Sequence, residues 1–216
     1  MNVFDIIGPI MIGPSSSHTA GAARIGRTAY LLLGEDVAKA HIILHGSFAS
    51  TYRGHGTDKA LVAGVLGMEP WDPGIRTSLQ LAEEKGVEID FETTELDQAH
   101  PNTALIELTG VTGKRLSVQG ASVGGGNIRI THINGMEVSI TGQRHTLIVF
   151  HRDVPGAIAN VTAILAEERA NICQFGLNRK EQGGDAIMTM ETDTDFDPAL
   201  EEKIQQLPYV TQVITM

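Results

Sequence analysis

The sequence predicts an α+β protein of two domains: a mixed α/β domain with antiparallel sheet over residues 1–141, and a ferredoxin-like domain over residues 145–216. Three observations predict it. A length of 216 residues exceeds the ~100–150 residues of a typical single core. Apolar residues recur at helical spacing early in the chain, then give way from Thr103 to short alternating runs. From His145 onward the elements follow the order β-α-β-β-α-β, which is the ferredoxin-like arrangement.

Each element has its own signal. Ala22, Ile25, Ala29, Leu32 and Leu33 define a first helix that Gly34 ends. Val37 to Leu44 reads as a strand, and Thr57-Asp58 suits the N-cap of a helix running through Leu66. Arg76 to Lys85 reads as a third helix and Val87 to Phe91 as a strand. Thr103 to Leu108, Arg115 to Gln119, Asn127 to His132 and Met136 to Ile140 read as antiparallel strands, the last two joined by the hairpin signal Asn134-Gly135. Thr141 to Arg144 is the expected linker. Beyond it, His145 to His151, Asn171 to Leu177, Ala186 to Met190 and Val210 to Ile214 read as strands. One helix carries Ile158, Val161, Thr162 and Leu165, with Pro155 in its first turn, and a second opens at Asp197-Pro198.

Composition excludes several functions. Sixteen Lys and Arg against 26 Asp and Glu give a net charge of −10, which disfavours neutralising nucleic-acid phosphates. Cys173 is the single cysteine, so an intramolecular disulfide, a cysteine zinc site and an iron–sulfur cluster held by this chain alone are all excluded. No apolar run reaches the ~20 residues of a membrane span, and the N-terminus lacks the pattern of a signal peptide, so the expected compartment is the cytoplasm. Dinucleotide, phosphate-loop and serine-elbow fingerprints are missing. His41 and His45 have the spacing of a metal pair only on a helix; on a strand they stand ~13 Å apart.

Two runs carry the chemistry. In Gly13-Pro14-Ser15-Ser16-Ser17-His18-Thr19-Ala20-Gly21, three hydroxyls at a helix start make a cradle for a carboxylate or phosphate, with a histidine in the same turn. Capping alone needs one serine. In His45 to Lys59, Gly54-His55-Gly56 sets before a helix an imidazole, the side-chain type suited to a general base or proton shuttle; the bland alternative is a surface turn. Gly120 to Asn127 reads as an inter-strand loop, and Cys173 as a packing residue sharing a buried strand face with Phe175 and Leu177. Asp153-Val154-Pro155-Gly156, with Asn171 nearby, can hold both ends of a zwitterionic amino acid or can simply be a capped turn.

The two runs closely resemble the β chain of bacterial iron–sulfur-dependent L-serine dehydratases, and the segment from His145 resembles an ACT domain through Asp153-Val154-Pro155-Gly156 and Ala170-Asn171-Ile172. The resemblance implies a lyase subunit that converts L-serine to pyruvate and ammonia only with its α chain, whose cysteines hold a [4Fe–4S] cluster. It implies His18 and His55 as catalytic residues and Ser15, Ser16, Ser17, Thr19, Gly56, Thr57 and Asn127 as substrate-binding ones, with Ser122 and Gly124 to Gly126 nearby. For the ACT domain it implies a regulatory ligand at Asp153, Pro155, Gly156, Asn171 and Ile172, and self-association. Tyr52 departs from the small residue expected there. The competing reading is a stand-alone amino-acid sensor with no catalytic role.

Overall fold

Ala22, Ile25, Ala29, Leu32 and Leu33 lie on the buried side of helix α1 (Ala22–Leu33) in the computed structural model, which describes residues 10–216. Gly34 ends the helix at φ 74° and donates its N–H to the Tyr30 carbonyl. Strand β1 (Val37–Leu44) is followed by helices α2 (Gly46–His55), α3 (Thr57–Val65) and α4 (Ser78–Glu84), the last entered through a 3-10 turn at Pro73–Thr77. These helices form the crossover that a parallel neighbour requires, and β2 (Glu88–Thr93) pairs parallel to β1. Then β3 (Thr103–Gly110), β4 (Arg115–Gly124) and β5 (Asn127–Ile133) add antiparallel strands, and β6 (Met136–Ile140) follows the turn in which Asn134 and Gly135 both take positive φ. Among the strands up to Ile133 the order is β2-β1-β3-β4-β5.

The core of this unit lies between α1, α3 and one sheet face, where Ala40, Ile42, Leu44, Ile106, Leu108, Val118 and Ile130 are buried. Two glycines let the helices touch. A Cβ on Gly64 would stand 2.1 Å from the Ala23 carbonyl, and one on Gly26 would stand 2.4 Å from the Leu61 carbonyl. On the opposite sheet face His41 sits among Glu107, Glu92 and Asp90, while His45 Nδ1 accepts the Leu96 N–H.

Three expectations are corrected here. The run from Gly46 to His55, where the glycines around His55 suggest a surface turn, is a helix; it is rich in Gly, Ser and Thr and buries only Phe48, so no apolar period announces it. Gly56, left-handed at φ 70°, both closes α2 and precedes α3, so Thr57-Asp58 is not the cap: Thr57 is fully buried, and Asp58 accepts from the neighbouring Lys59 N–H. The Gly120–Asn127 segment is mostly strand, since β4 continues to Gly124 and only a tight turn at Gly125-Gly126 separates it from β5.

The chain divides into two compact units at Gly135 and Met136, ahead of the expected linker at Thr141 to Arg144. Within the second unit the tie between β6 and the later strands explains this division: Gln174 Nε2 donates to the Ser139 carbonyl, and buried Glu191 accepts from both the N–H and the hydroxyl of Thr141. Strands β7 (His145–Arg152), β8 (Ile172–Arg179), β9 (Asp185–Thr192) and β10 (Val210–Thr215) form an antiparallel sheet in the order β10-β7-β9-β8, with α5 (Ala157–Glu167) and α6 (Ala199–Gln205) in the two crossovers. That is the ferredoxin-like order. Its core joins Leu147, Val149, Met188 and Met190 to Val161, Leu165, Leu200 and Ile204. Pro155 lies before α5, whose N-cap is Gly156 at φ 87°, rather than in its first turn. Among the described residues no helix is long and apolar enough to cross a membrane.

Candidate active site

The serine run does more than cap α1. Ser15 is the N-cap of a π-helical turn at Ser16–Gly21 that leads into α1, and its hydroxyl accepts the His18 N–H at 3.1 Å. This turn sets His18 against α2. His18 Nε2 lies 3.0 Å from Ser47 Oγ, its Nδ1 lies 3.5 Å from Ser15 Oγ, and its ring meets Phe48 at 5.3 Å. Ser47 in turn is fixed through its N–H, which donates to the Pro101 carbonyl at 2.7 Å.

His55 arrives from the far end of α2. Its ring stands edge-on to His18, with centroids 4.9 Å apart and planes at 88°. The two expected histidines, 37 positions apart, therefore form one pair. Thr19 reinforces the junction, since its hydroxyl donates to the His55 carbonyl at 3.5 Å. Partial burial lowers the His18 pKa first, the neighbouring His55 lowers it further, and the contact with Ser47 opposes both. His18 is accordingly neutral near pH 7. The His55 ring is exposed, and its ring contact with His18 is its one side-chain interaction among the described residues.

A cavity of about 240 Å³ opens beside the pair, lined by Gly13, Thr19, His55, Gly56, Lys59 and Arg76 among others. A larger one of about 480 Å³ lies on the polar sheet face beside His41, Asp90 and Glu107, but neither His18 nor His55 lines it, so the chemistry is assigned to the smaller. Of the expected substrate residues, Ser15 and Thr19 contact the pair directly, Ser16 and Ser17 belong to the same turn, and Gly56 lines the cavity. Thr57 is buried with its Oγ1 unpartnered among the described residues. Asn127 starts β5 opposite Gly124 and is not among the residues lining the cavity. Ser122 is fully buried, its Oγ pressed so close to Gly21 that a Cβ there would stand 2.1 Å away. Sequence reasoning missed Ser47, Lys59 and Arg76, whose roles depend on tertiary neighbours; Ser47 and Lys59 carry a signal only by lying within the His45–Lys59 run, and Arg76, in the later 3-10 turn, carries none.

The donor set of this chain does not fit a [4Fe–4S] cluster. Its single thiol, Cys173, is exposed, donates to the Glu191 carbonyl and receives an N–H from Arg144. No group of three His, Cys, Asp or Glu among the described residues has metal-holding geometry.

In the second unit the Asp153 carboxylate is already engaged. It pairs with Arg179 at 2.5 Å and accepts the Gly183 N–H at 3.0 Å; these bonds, Gly183 first, hold its pKa below the usual carboxylate value. Pro155, Gly156 and Asn171 are exposed, and Ile172 packs against the core. His151, two residues before Asp153, is buried with Nδ1 on the Arg152 carbonyl and Nε2 unpartnered among the described residues.

Comparison with known proteins adds the following. Residues 2–84 match the family model for the serine dehydratase beta chain, and residues 145–209 match the ACT domain. The chain is 44% identical over 212 residues to the probable L-serine dehydratase, beta chain, of Bacillus subtilis, covering 98% of this chain and 96% of the relative. It is 38% identical over 204 residues to the L-serine dehydratase, beta chain, of Peptoniphilus asaccharolyticus, covering 94% and 92%. A more distant likeness, 24% over 198 residues, is to D-3-phosphoglycerate dehydrogenase of Bacillus subtilis, covering 89% of this chain and 36% of that one.

Proposed function

The chain belongs to the L-serine dehydratase beta-chain family, and on that footing we propose that it supplies the proton-transfer side of an active site completed by a partner alpha chain. The reaction is the conversion of L-serine to pyruvate and ammonia. Loss of water from serine needs a base for the proton on Cα and a route for hydroxide from Cβ. The electron pair of the broken C–H bond becomes the Cα–Cβ double bond of aminoacrylate, which tautomerises to an imine and takes up water to release pyruvate and ammonia.

The His18–His55 contact at 4.9 Å carries this reading. His55, exposed at the cavity, is the base that takes the α-proton. His18, held neutral and fixed by Ser47, sets the position of the His55 ring and keeps a second positive charge away while His55 is protonated. The cluster belongs, in this reading, to the partner chain, and the steps assigned to this chain stop at binding and proton transfer. The cytoplasm is the compartment in keeping with an unpaired thiol. The ACT domain holds a regulatory amino acid at the Asp153–Gly156 turn and Asn171, and pairs with a second copy.

Replacing either histidine tests the proposal. In the two-chain enzyme, His55→Ala and His18→Ala should each lower kcat by about 10²- to 10⁴-fold without preventing assembly. Turnover near that of the wild type in both variants would return the pair to a structural role.

A further inference from the structure

We propose that Lys59 and Arg76 form a carboxylate-binding site beside His55, which holds the carboxylate of the amino-acid substrate; the identity of the acid rests on the dehydratase reading above. The chain as a whole carries a net charge of −10, yet no Asp or Glu lines this cavity and both of its permanently charged residues are cations. Six cations elsewhere, Arg27, Lys39, Arg144, Arg152, Arg179 and Lys203, have carboxylate partners. Lys59 and Arg76 have none among the described residues. The acids nearest them in sequence are turned to the backbone, Asp58 accepting the Lys59 N–H at 2.8 Å and Asp72 accepting the Gly74 N–H at 2.7 Å.

The two cations also stand on a fixed base. Lys59 lies in α3, and its carbonyl accepts the hydroxyl of buried Ser78 at 2.7 Å, which ties α3 to the start of α4 directly after the 3-10 turn that carries Arg76. An Arg fork beside a Lys point charge is the donor set that a planar carboxylate prefers. A volume of about 240 Å³ falls below the ~300–1,000 Å³ of pockets for drug-sized ligands, so the occupant is a small acid. With its carboxylate on the cations, the rest of that acid faces His55 in the same cavity.

Two measurements test the site. In the two-chain enzyme, Lys59→Gln with Arg76→Gln should raise KM for L-serine by about tenfold or more, a larger change than in kcat, as expected when charge-assisted bonds are lost from substrate binding. Wild-type turnover in the same assay checks the dehydratase reading separately. In the isolated chain, titration with L-serine should shift the NMR signals of the His55 ring, whereas L-serinamide, which lacks the carboxylate, should not, and the double variant should lose the response. An unchanged KM in an active enzyme overturns the proposal. If the two-chain enzyme proves inactive, equal His55 responses to L-serine and L-serinamide, or none to either, overturn it instead.

Discussion

His18 is where burial and charge act on one proton. In the folded chain its pKa lies below the ordinary 6.5, because partial burial and then the His55 charge disfavour the imidazolium. Between the folded value and 6.5 the unfolded chain binds more protons, so the contribution of His18 to stability grows as pH rises through that window and is lost as pH falls through it. NMR titration should place the His18 midpoint below 6.5. In the His55→Ala variant the midpoint should move up, yet stay depressed because burial remains. A wild-type midpoint at or above 6.5 contradicts this account of the pair. Residue type and local spacing mark His18 and His55 as candidates in the sequence, and the structure brings their rings together. Ser47, Lys59 and Arg76 are not so marked, since a serine after a glycine or a lysine in a helix acquires meaning only from what folds against it.

Strand β8 shows the same limit for an element. The alternation of Phe175 and Leu177 marks one strand face, and the sequence predicts that this face is buried and Cys173 with it. Cys173 is exposed, and Phe175 and Leu177 are 43% and 44% exposed. Their register partners, Met190 and Met188, belong to the core, so the two side chains lie on the helix-covered face at its uncovered margin, because β8 is an edge of the sheet. Sequence periodicity reports which residues share a face and leaves open which strand stands at the edge. An apolar edge of this kind suits pairing with a second copy, so the full chain should sediment as a dimer or larger. Phe175→Glu with Leu177→Glu should reduce its mass in analytical ultracentrifugation, and an unchanged mass would remove β8 from self-association. Helix α2 was hidden for the opposite reason: with only Phe48 buried it has no apolar stripe, and its ends are set by two left-handed glycines, Gly46 and Gly56.

At the scale of the whole chain, the ferredoxin-like order of the second unit and the mixed α/β content and antiparallel strands of the first are legible, since helix period, strand alternation and the Asn134-Gly135 hairpin are local signals, whereas the parallel pairing of β1 with β2 is not. The unit boundary is also less legible, because the tie between Thr141 and Glu191 joins residues 50 positions apart. What the chain offers chemically is a histidine pair beside a small basic cavity, with a single exposed thiol that fits no cluster. The central claim is that this is one side of a shared active site. Pyruvate release from L-serine, followed anaerobically with the purified chain alone and then with the proposed alpha chain added, tests it most directly. The account predicts no turnover and no iron–sulfur absorption from the chain alone, and turnover once the alpha chain is present. Turnover by the isolated chain, or none from the assembled pair, would contradict it, and the second result would leave the amino-acid sensor as the better reading.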